Sequence, residues 1–408
     1  MEDIKIQYKG VSDVYLKNNI LNVKLEVNGV TEHRPYAYQM INGLIKEVPC
    51  NYVLYKRILS FEFPEGYNKD YDLIIDPVLV FAAQSGSLAD NFGMTATFDV
   101  AGNLYAGGTA YANGYPTTLG AYNTNYSGGG TASGTPFNAS NTDVVITKYS
   151  SNGTSLIYST YFGGNQTEIV SSMIVDSNDN LCFYGATGST NLPTTPGAFD
   201  ASYNGGTPLS FLYNGTSYSG TDIYVAKFNS SGSTLMASTY IGGSGNDGVN
   251  HVNHLTNIGG GNWEYYIDSL QYNYGDQYRG EIQLDNINNI YIASSSRSTD
   301  FPTTPGAYDN SLGGKQDAVI FKFNPQLTQL LFSTYLGGSS NECGNSLIVN
   351  SNYEVYVTGG SCSPDFPTTV GANNTSYNGG IGDGYISRLS SNGGSLLNST
   401  YVGTAAYD

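Results

Sequence analysis

Ser159-Thr160-Tyr161-Phe162-Gly163-Gly164 recurs as Ser238-Thr239-Tyr240-Ile241-Gly242-Gly243 and Ser333-Thr334-Tyr335-Leu336-Gly337-Gly338. Ser399-Thr400-Tyr401-Val402-Gly403-Thr404 is a further copy without its last glycine, and Val80-Phe81-Ala82-Ala83-Gln84-Ser85-Gly86 is a worn one. A second motif, Leu192-Pro193-Thr194-Thr195-Pro196-Gly197-Ala198-Phe199, matches the segments opening at Tyr115, Phe301 and Phe366. A third is an acid with a base five residues on: Asp143 and Lys148, Asp222 and Lys227, Asp317 and Lys322, Asp383 and Arg388. A fourth is a turn at Asp99, Asp176, Asp285 and Asn350. Self-similarity at such periods marks a repeat architecture.

The spacings divide each unit into constant and variable parts. The turn residue stands 17 residues before the proline in every unit (Asp99 to Pro116, Asp176 to Pro193, Asp285 to Pro302, Asn350 to Pro367). From the repeated Asp to the Ser of Ser-Thr-Tyr there are always 16. From the glycine after Ser-Thr-Tyr to the next turn there are 13, 13, 43 and 13. From the proline to the repeated Asp there are 27, 29, 15 and 16. Period-2 alternation rich in aromatic and β-branched residues predicts four short strands per unit, a to d. Four antiparallel strands per repeat read as a propeller blade. The fold class is therefore all-β, with blades at about 87–164, 165–243, 244–338 and 339–403 behind a small β-sandwich-like domain over 1–77. The a–b and c–d turns share one face. Every insertion falls in the d–a and b–c connections on the other, where repeat proteins tend to bind.

The propeller region, 78–408, is expected to be an incomplete ring. Val78 to Gln84 reads as a strand d without its strands a to c, and Asp408 lies five residues beyond Gly403, as Glu168 does beyond Gly163.

Composition sets bounds on partners. The 408 residues include 51 Gly and 36 Tyr, charged residues make up 12%, and the net charge is −17. Without a basic stripe, nucleic acid is excluded as a partner. No run of about 18 apolar residues spans a bilayer. Met1-Glu2-Asp3-Ile4 offers neither the basic nor the apolar region of a signal peptide.

The four spaced motifs together resemble the bacterial seven-bladed β-propeller repeat family (SBBP-type). The resemblance covers roughly 78–408. Residues 1–77 resemble the β-rich domain that often precedes such repeats, with Leu73-Ile74-Ile75-Asp76-Pro77-Val78-Leu79 similar to its junction. The resemblance implies a large, secreted, extracellular protein of the bacterial cell surface, of the kind exported by type 9 secretion in gliding bacteria. The signal read by that secretion machinery would lie outside this chain. It implies no catalytic residues and no established ligand.

Three groups of residues are candidates for function. Glu168, Asp247, Glu342 and Asp408 each lie five residues after the repeated glycine, with Asn91 in the first equivalent place. A hard cation such as calcium wants clustered carboxylates. One acid per repeat is also what a packing rule produces, and that structural reading is preferred. No other cofactor is expected. The long third d–a connection holds His251, His254, Trp263, Tyr265, Tyr266, Tyr272, Tyr274 and Tyr278. Exposed rings there would stack on a glycan or grip a surface protein; the alternative is that they pack the loop down. His251 and His254 as a metal pair lack an identifiable third ligand. Cys343 and Cys362 are expected to face each other across the fourth a–b hairpin as a disulfide.

The leading expectation is a non-catalytic surface module binding or displaying through its insertion face. A structural spacer in an adhesin-like protein is the second. A propeller glycoside hydrolase is the third, without a distinctive carboxylate pair to support it.

Overall fold

The computed structural model describes residues 4–24, 29–32, 34–76, 85–128, 141–210, 217–250, 254–259, 262–266, 270 and 276–405. It divides into two units, Met1–Ala82 and Ala83–Asp408.

The first unit consists of three small antiparallel sheets. Asn51–Tyr55 pairs with Ile58–Glu62, which also pairs with Ile6–Gln7. Asp13–Lys17, Ile20–Lys24 and Gly29–Glu32 form a meander. Tyr36–Ile41 lies between Leu44–Val48 and Leu73–Asp76. Two-residue turns need positive φ at both positions. Asn18-Asn19 (53° and 58°) and Asn42-Gly43 (51° and 80°) supply it with residues that tolerate it, and Lys56-Arg57 (53° and 82°) supplies it at some cost. Val14, Leu21, Val23 and Leu59 form the core.

The second unit is a tandem of four-stranded antiparallel sheets, each in the order a-b-c-d. Blade 1 comprises Asn91–Phe98, Leu104–Ala110, Asp143–Tyr149 and Leu156–Phe162. Blade 2 comprises Ser172–Val175, Leu181–Thr187, Asp222–Phe228 and Leu235–Ile241. Blade 3 comprises Glu281–Leu284, Ile290–Ser296, Asp317–Phe323 and Leu330–Leu336. Blade 4 comprises Ser346–Val349, Val355–Ser361, Asp383–Leu389 and Leu396–Val402. Strand a of each blade adjoins strand a of the next, so the a strands form the inner edge.

Stacking buries both faces of the middle strands. Ile223, Val225 and the other residues of strand c in blade 2 are all buried, which explains why its sequence reads as a nearly continuous apolar run. Strand c of blade 4 alternates instead, with Ile386 47% exposed beside Val402 at 50%. Apolar clusters fill each inter-blade seam: Phe162, Phe183 and Phe228 between blades 1 and 2, Ile241, Ile292 and Phe321 between 2 and 3, and Leu336, Leu347 and Tyr385 between 3 and 4.

Candidate functional site

Each blade presents two chemically different ends. At the a–b hairpin end, the turn acid meets the strand-c base. Lys148 Nζ lies 3.0 Å from Asp99, Lys227 2.7 Å from Asp176 and Lys322 3.3 Å from Asp285. The turns are Asx turns: Asp176 Oδ1 accepts from the N–H groups of Asn178 and Asn180. Burial pushes these three carboxyls up. The amides, together with the lysine beside each, outweigh burial and hold them below the usual carboxylate range. Blade 4 keeps the pair while exchanging its parts. Asn350 takes the turn, Glu354 carries the charge, and Arg388 lies 2.5 Å from it. The base also rides over a strand-b ring, Lys148 over Tyr105 at 4.6 Å and Lys322 over Tyr291 at 4.5 Å. Cys182 stands opposite Lys227 where the other blades have that tyrosine. Burial pushes its thiol up to about 12, against a smaller lowering by Lys227, so it is inert at neutral pH.

Ser-Thr-Tyr and Pro-Thr-Thr are two halves of one latch. In blade 2 the Tyr240 hydroxyl accepts from Leu192 N–H at 2.8 Å and donates to Ser189 O at 2.7 Å. Ser238 N–H donates to Thr195 Oγ1 at 3.0 Å, and the Thr239 hydroxyl accepts from Asp200 N–H at 2.9 Å. Tyr161, Tyr335 and Tyr401 repeat the tyrosine pattern. The b–c loop then reaches the next blade, where Phe199 N–H donates to Leu327 O at 2.8 Å.

At the insertion-bearing end the recurring acids form no ion pair among the described residues. Glu168 accepts from Gly164 N–H at 2.8 Å and from the Thr187 hydroxyl at 2.6 Å. Asp247 accepts from Gly243 N–H, Ser296 and Ser298. Glu342 accepts from Gly338 N–H at 2.8 Å and Ser361 at 2.7 Å. The strand-c acids cap their own b–c loops: Asp222 accepts from the N–H groups of Asn204 and Gly205, and Asp317 from those of Gly313 and Gly314. The two sets meet across one glycine. A Cβ on residue 163 would stand 2.5 Å from Asp143 Oδ1 and 2.7 Å from Glu168 Oε2, and residue 242 is bracketed likewise by Asp222 and Asp247. That close approach requires glycine there. Burial pushes the carboxyls up, Asp143 to about 7, Glu168 to about 8, Asp222 to about 8, Asp247 to about 6 and Asp317 to about 7.

Glu168, Asp247 and Glu342 therefore do not converge. Each joins the glycines of one blade to the hydroxyls of the next, and among the described residues no group of three His, Cys, Asp or Glu is placed to hold a metal. Asp408 lies outside the described residues. The sequence reading missed the pairing partners. A signal was present in the chain: Thr187 and Ser189, Ser296 and Ser298, and Ser361 and Ser363 supply two hydroxyls each, whereas the unit with Asn91 has Ala110 and Ala112.

The third insertion contains a hairpin, His254–Gly259 with Asn262–Tyr266. Its register pairs Trp263 with Asn257, Tyr265 with Leu255 and Tyr266 with His254. His251, Tyr272 and Tyr274 lie outside the described residues. Tyr278 is 3% exposed and packs with Ile169, Ala186, Leu209 and Val249, which corrects its expected place among exposed binding rings. Leu270 is also buried and its side chain abuts the backbone at Gly360 of blade 4.

Beside the start of this insertion, a cleft of about 300 Å³ opens between blades 2 and 3. Phe199, Asp200 and Asn204 come from the b–c loop of blade 2, Gly242, Gly243 and Ser244 from its d–a exit, and Asp300 and Pro302 from the loop after strand b of blade 3. Asp300 Oδ1 is oriented by Ser244 N–H at 2.7 Å, and Asp200 by Ser202 N–H at 2.8 Å.

Cys343 and Cys362, the expected disulfide partners, stand where the fourth a–b hairpin departs from its regular register. Above strand a the ladder shifts by one residue: Ser346 faces Thr358, but Glu342 faces Ser361. Cys343 N–H consequently bonds Gly360 O, and Cys362 N–H bonds Asn341 O.

Residues 1–78 match the model of a family described as Domain of unknown function (DUF7948). No curated protein matches the chain. Among solved structures, a protein of unknown function from Dyadobacter fermentans DSM 18053 is similar, with 8% identity, a TM-score of 0.38, and coverage of 91% of this chain and 85% of that one.

Proposed function

We propose that the chain is a non-catalytic extracellular module of the bacterial cell surface, binding glycan through the face that carries the d–a and b–c connections. The observation that supports this reading is the cleft between blades 2 and 3. It combines two oriented carboxylates, an amide and a hydroxyl beside an aromatic ring. Convergent polar groups next to an apolar wall suit a ligand rich in hydroxyls. The same d–a connection that lines the cleft goes on to form the hairpin bearing Trp263 and Tyr265. The recurring acids Glu168, Asp247 and Glu342 are engaged in joining blades, so they lend no support to glycoside hydrolysis. The family resemblance of the repeats supports the surface location, with type 9 export and gliding bacteria as its setting.

Titrating cell-surface polysaccharides against Trp263 fluorescence tests the proposal. A saturable change, weakened at least tenfold by Asp200→Asn with Asp300→Asn, is expected. Replacing residues 254–266 with a glycine-serine turn, with binding then read by calorimetry because Trp263 is removed, separates hairpin from cleft while keeping buried Leu270 and Tyr278. A flat response to every polysaccharide would overturn the binding role and leave a spacer.

A further inference from the structure

Four residues before each a–b turn, strand a carries one equivalent position: Thr95, Ser172, Glu281 and Ser346. Their strand-b partners, Gly107, Tyr184, Ala293 and Thr358, are equivalent in the same way. The repeat thus contains its own control. A packing role recurs in every copy, and the hydroxyl at this position does so in blades 1, 2 and 4. The carboxylate occurs once, so the packing rule does not account for it. This distinguishes Glu281 from Glu168, Asp247 and Glu342.

Glu281 sits on the inner edge, flanked by the a strands of blades 2 and 4. Both neighbours turn hydroxyls toward it: Ser172 Oγ donates to Oε1 at 2.9 Å and Ser346 Oγ to Oε2 at 3.5 Å. None of the ion pairs among the described residues involves it. Burial raises its pKa, and the two serines lower it only in part. A carboxylate so placed lacks a positive charge. One further oxygen flanks the trio in the chain: Asn345 Oδ1, beside Ser346, is buried and has no hydrogen-bond partner among the described residues.

We propose that Glu281, Ser172 and Ser346 form a site for a hard divalent cation of the calcium class at the inner edge of blades 2 to 4. One carboxylate with hydroxyl oxygens is an all-oxygen ligand set, which suits such an ion, with water completing the shell. On binding, the serine hydroxyls rotate from donating to the carboxylate to presenting lone pairs to the ion, and any proton on Glu281 is released. A single charge and few protein ligands place the dissociation constant in the weak range, about 10⁻⁴–10⁻³ M.

Terbium(III) is the probe, because its emission is sensitised by a nearby tyrosine and Tyr184 lies within electrostatic reach of Glu281. Titration of the full chain should give saturable emission that calcium displaces. Glu281→Gln should weaken it at least tenfold with circular dichroism and melting unchanged. Glu168→Gln should leave it intact, since that acid serves a different seam. Ser172→Ala with Ser346→Ala should weaken it several-fold, and binding should strengthen as pH rises through the raised pKa of Glu281. A Glu281→Gln titration superimposable on the unmodified chain, or emission that calcium fails to displace, would overturn the proposal. Neither result bears on the cleft, whose residues are separate.

Discussion

The two ends of a blade use the same residue types under opposite electrostatics. At the hairpin end, Asp176 has Lys227 at 2.7 Å and is held ionised. At the insertion end, Asp222 and Asp247 share a glycine and accept only from amides and hydroxyls, so burial keeps them toward the protonated form. An ion pair tolerates desolvation because each charge answers the other; two acids in one seam cannot both ionise cheaply. The difference teaches that recurrence of an acid in a repeat says where it sits and nothing about its charge.

The largest expected effect breaks the charged end. Lys227→Met leaves Asp176 buried with no counter-charge and should cost about 3–5 kcal/mol in urea denaturation. Recovery of most of that loss by adding Asp176→Asn, which removes the charge and keeps the Oδ1 acceptor of the turn, is the further check. A single-mutant loss below about 1 kcal/mol would mean that Asx-turn bonds alone sustain the aspartate.

pH sets the two ends against each other. The hairpin acids have lowered folded pKa values, so their contribution is present above the unfolded value and is lost as pH falls through the folded one. Glu168, Asp222 and Asp247 have raised values of about 6 to 8, so their contribution is full below the unfolded value near 4 and is lost as pH rises through the folded values. Melting should therefore be highest near pH 5 and fall toward pH 9, by about 2–4 °C per kcal/mol lost. Asp222→Asn, which cannot ionise but exchanges one accepting oxygen for a donor, should cost about 1–3 kcal/mol at pH 5 and flatten the alkaline limb. A profile that rises from pH 5 to 8 in calorimetry would contradict the assignment.

The smallest effect sharpens the contrast within one acid. Ser298→Ala removes one of the three donors to Asp247 and should cost about 1 kcal/mol at pH 7. It should also move the alkaline limb to still higher pH, because less of the ionised form is stabilised.

Motifs were legible where they were local, and their meanings were not. Both Asp176 and Lys227 stood out as recurring residues, yet their pairing joins the a–b turn to strand c and depends on a register that spacing within either motif does not contain. Ser-Thr-Tyr and Pro-Thr-Thr recurred together, but that Tyr240 bonds both Leu192 and Ser189 emerges only when strand d folds back over the b–c loop. The spacing of Cys343 and Cys362 assumed an unbroken ladder, whereas the register shifts by one residue between Ser346 and Glu342. The insertion's aromatic content was visible, but composition could not separate Tyr278, buried against Ile169 and Val249, from residues on the hairpin.

By itself the sequence determined the all-β class, the four strands of each blade, the constant turns and the face that takes insertions. Strand period, turn chemistry and repeat spacing are local properties written into consecutive residues. Tertiary structure alone decided which acids are charged, which hydroxyls receive them, and that Glu281 lies between two serines of neighbouring blades. Those outcomes depend on desolvation and on contacts between residues tens of positions apart, and both exist only once the blades have stacked.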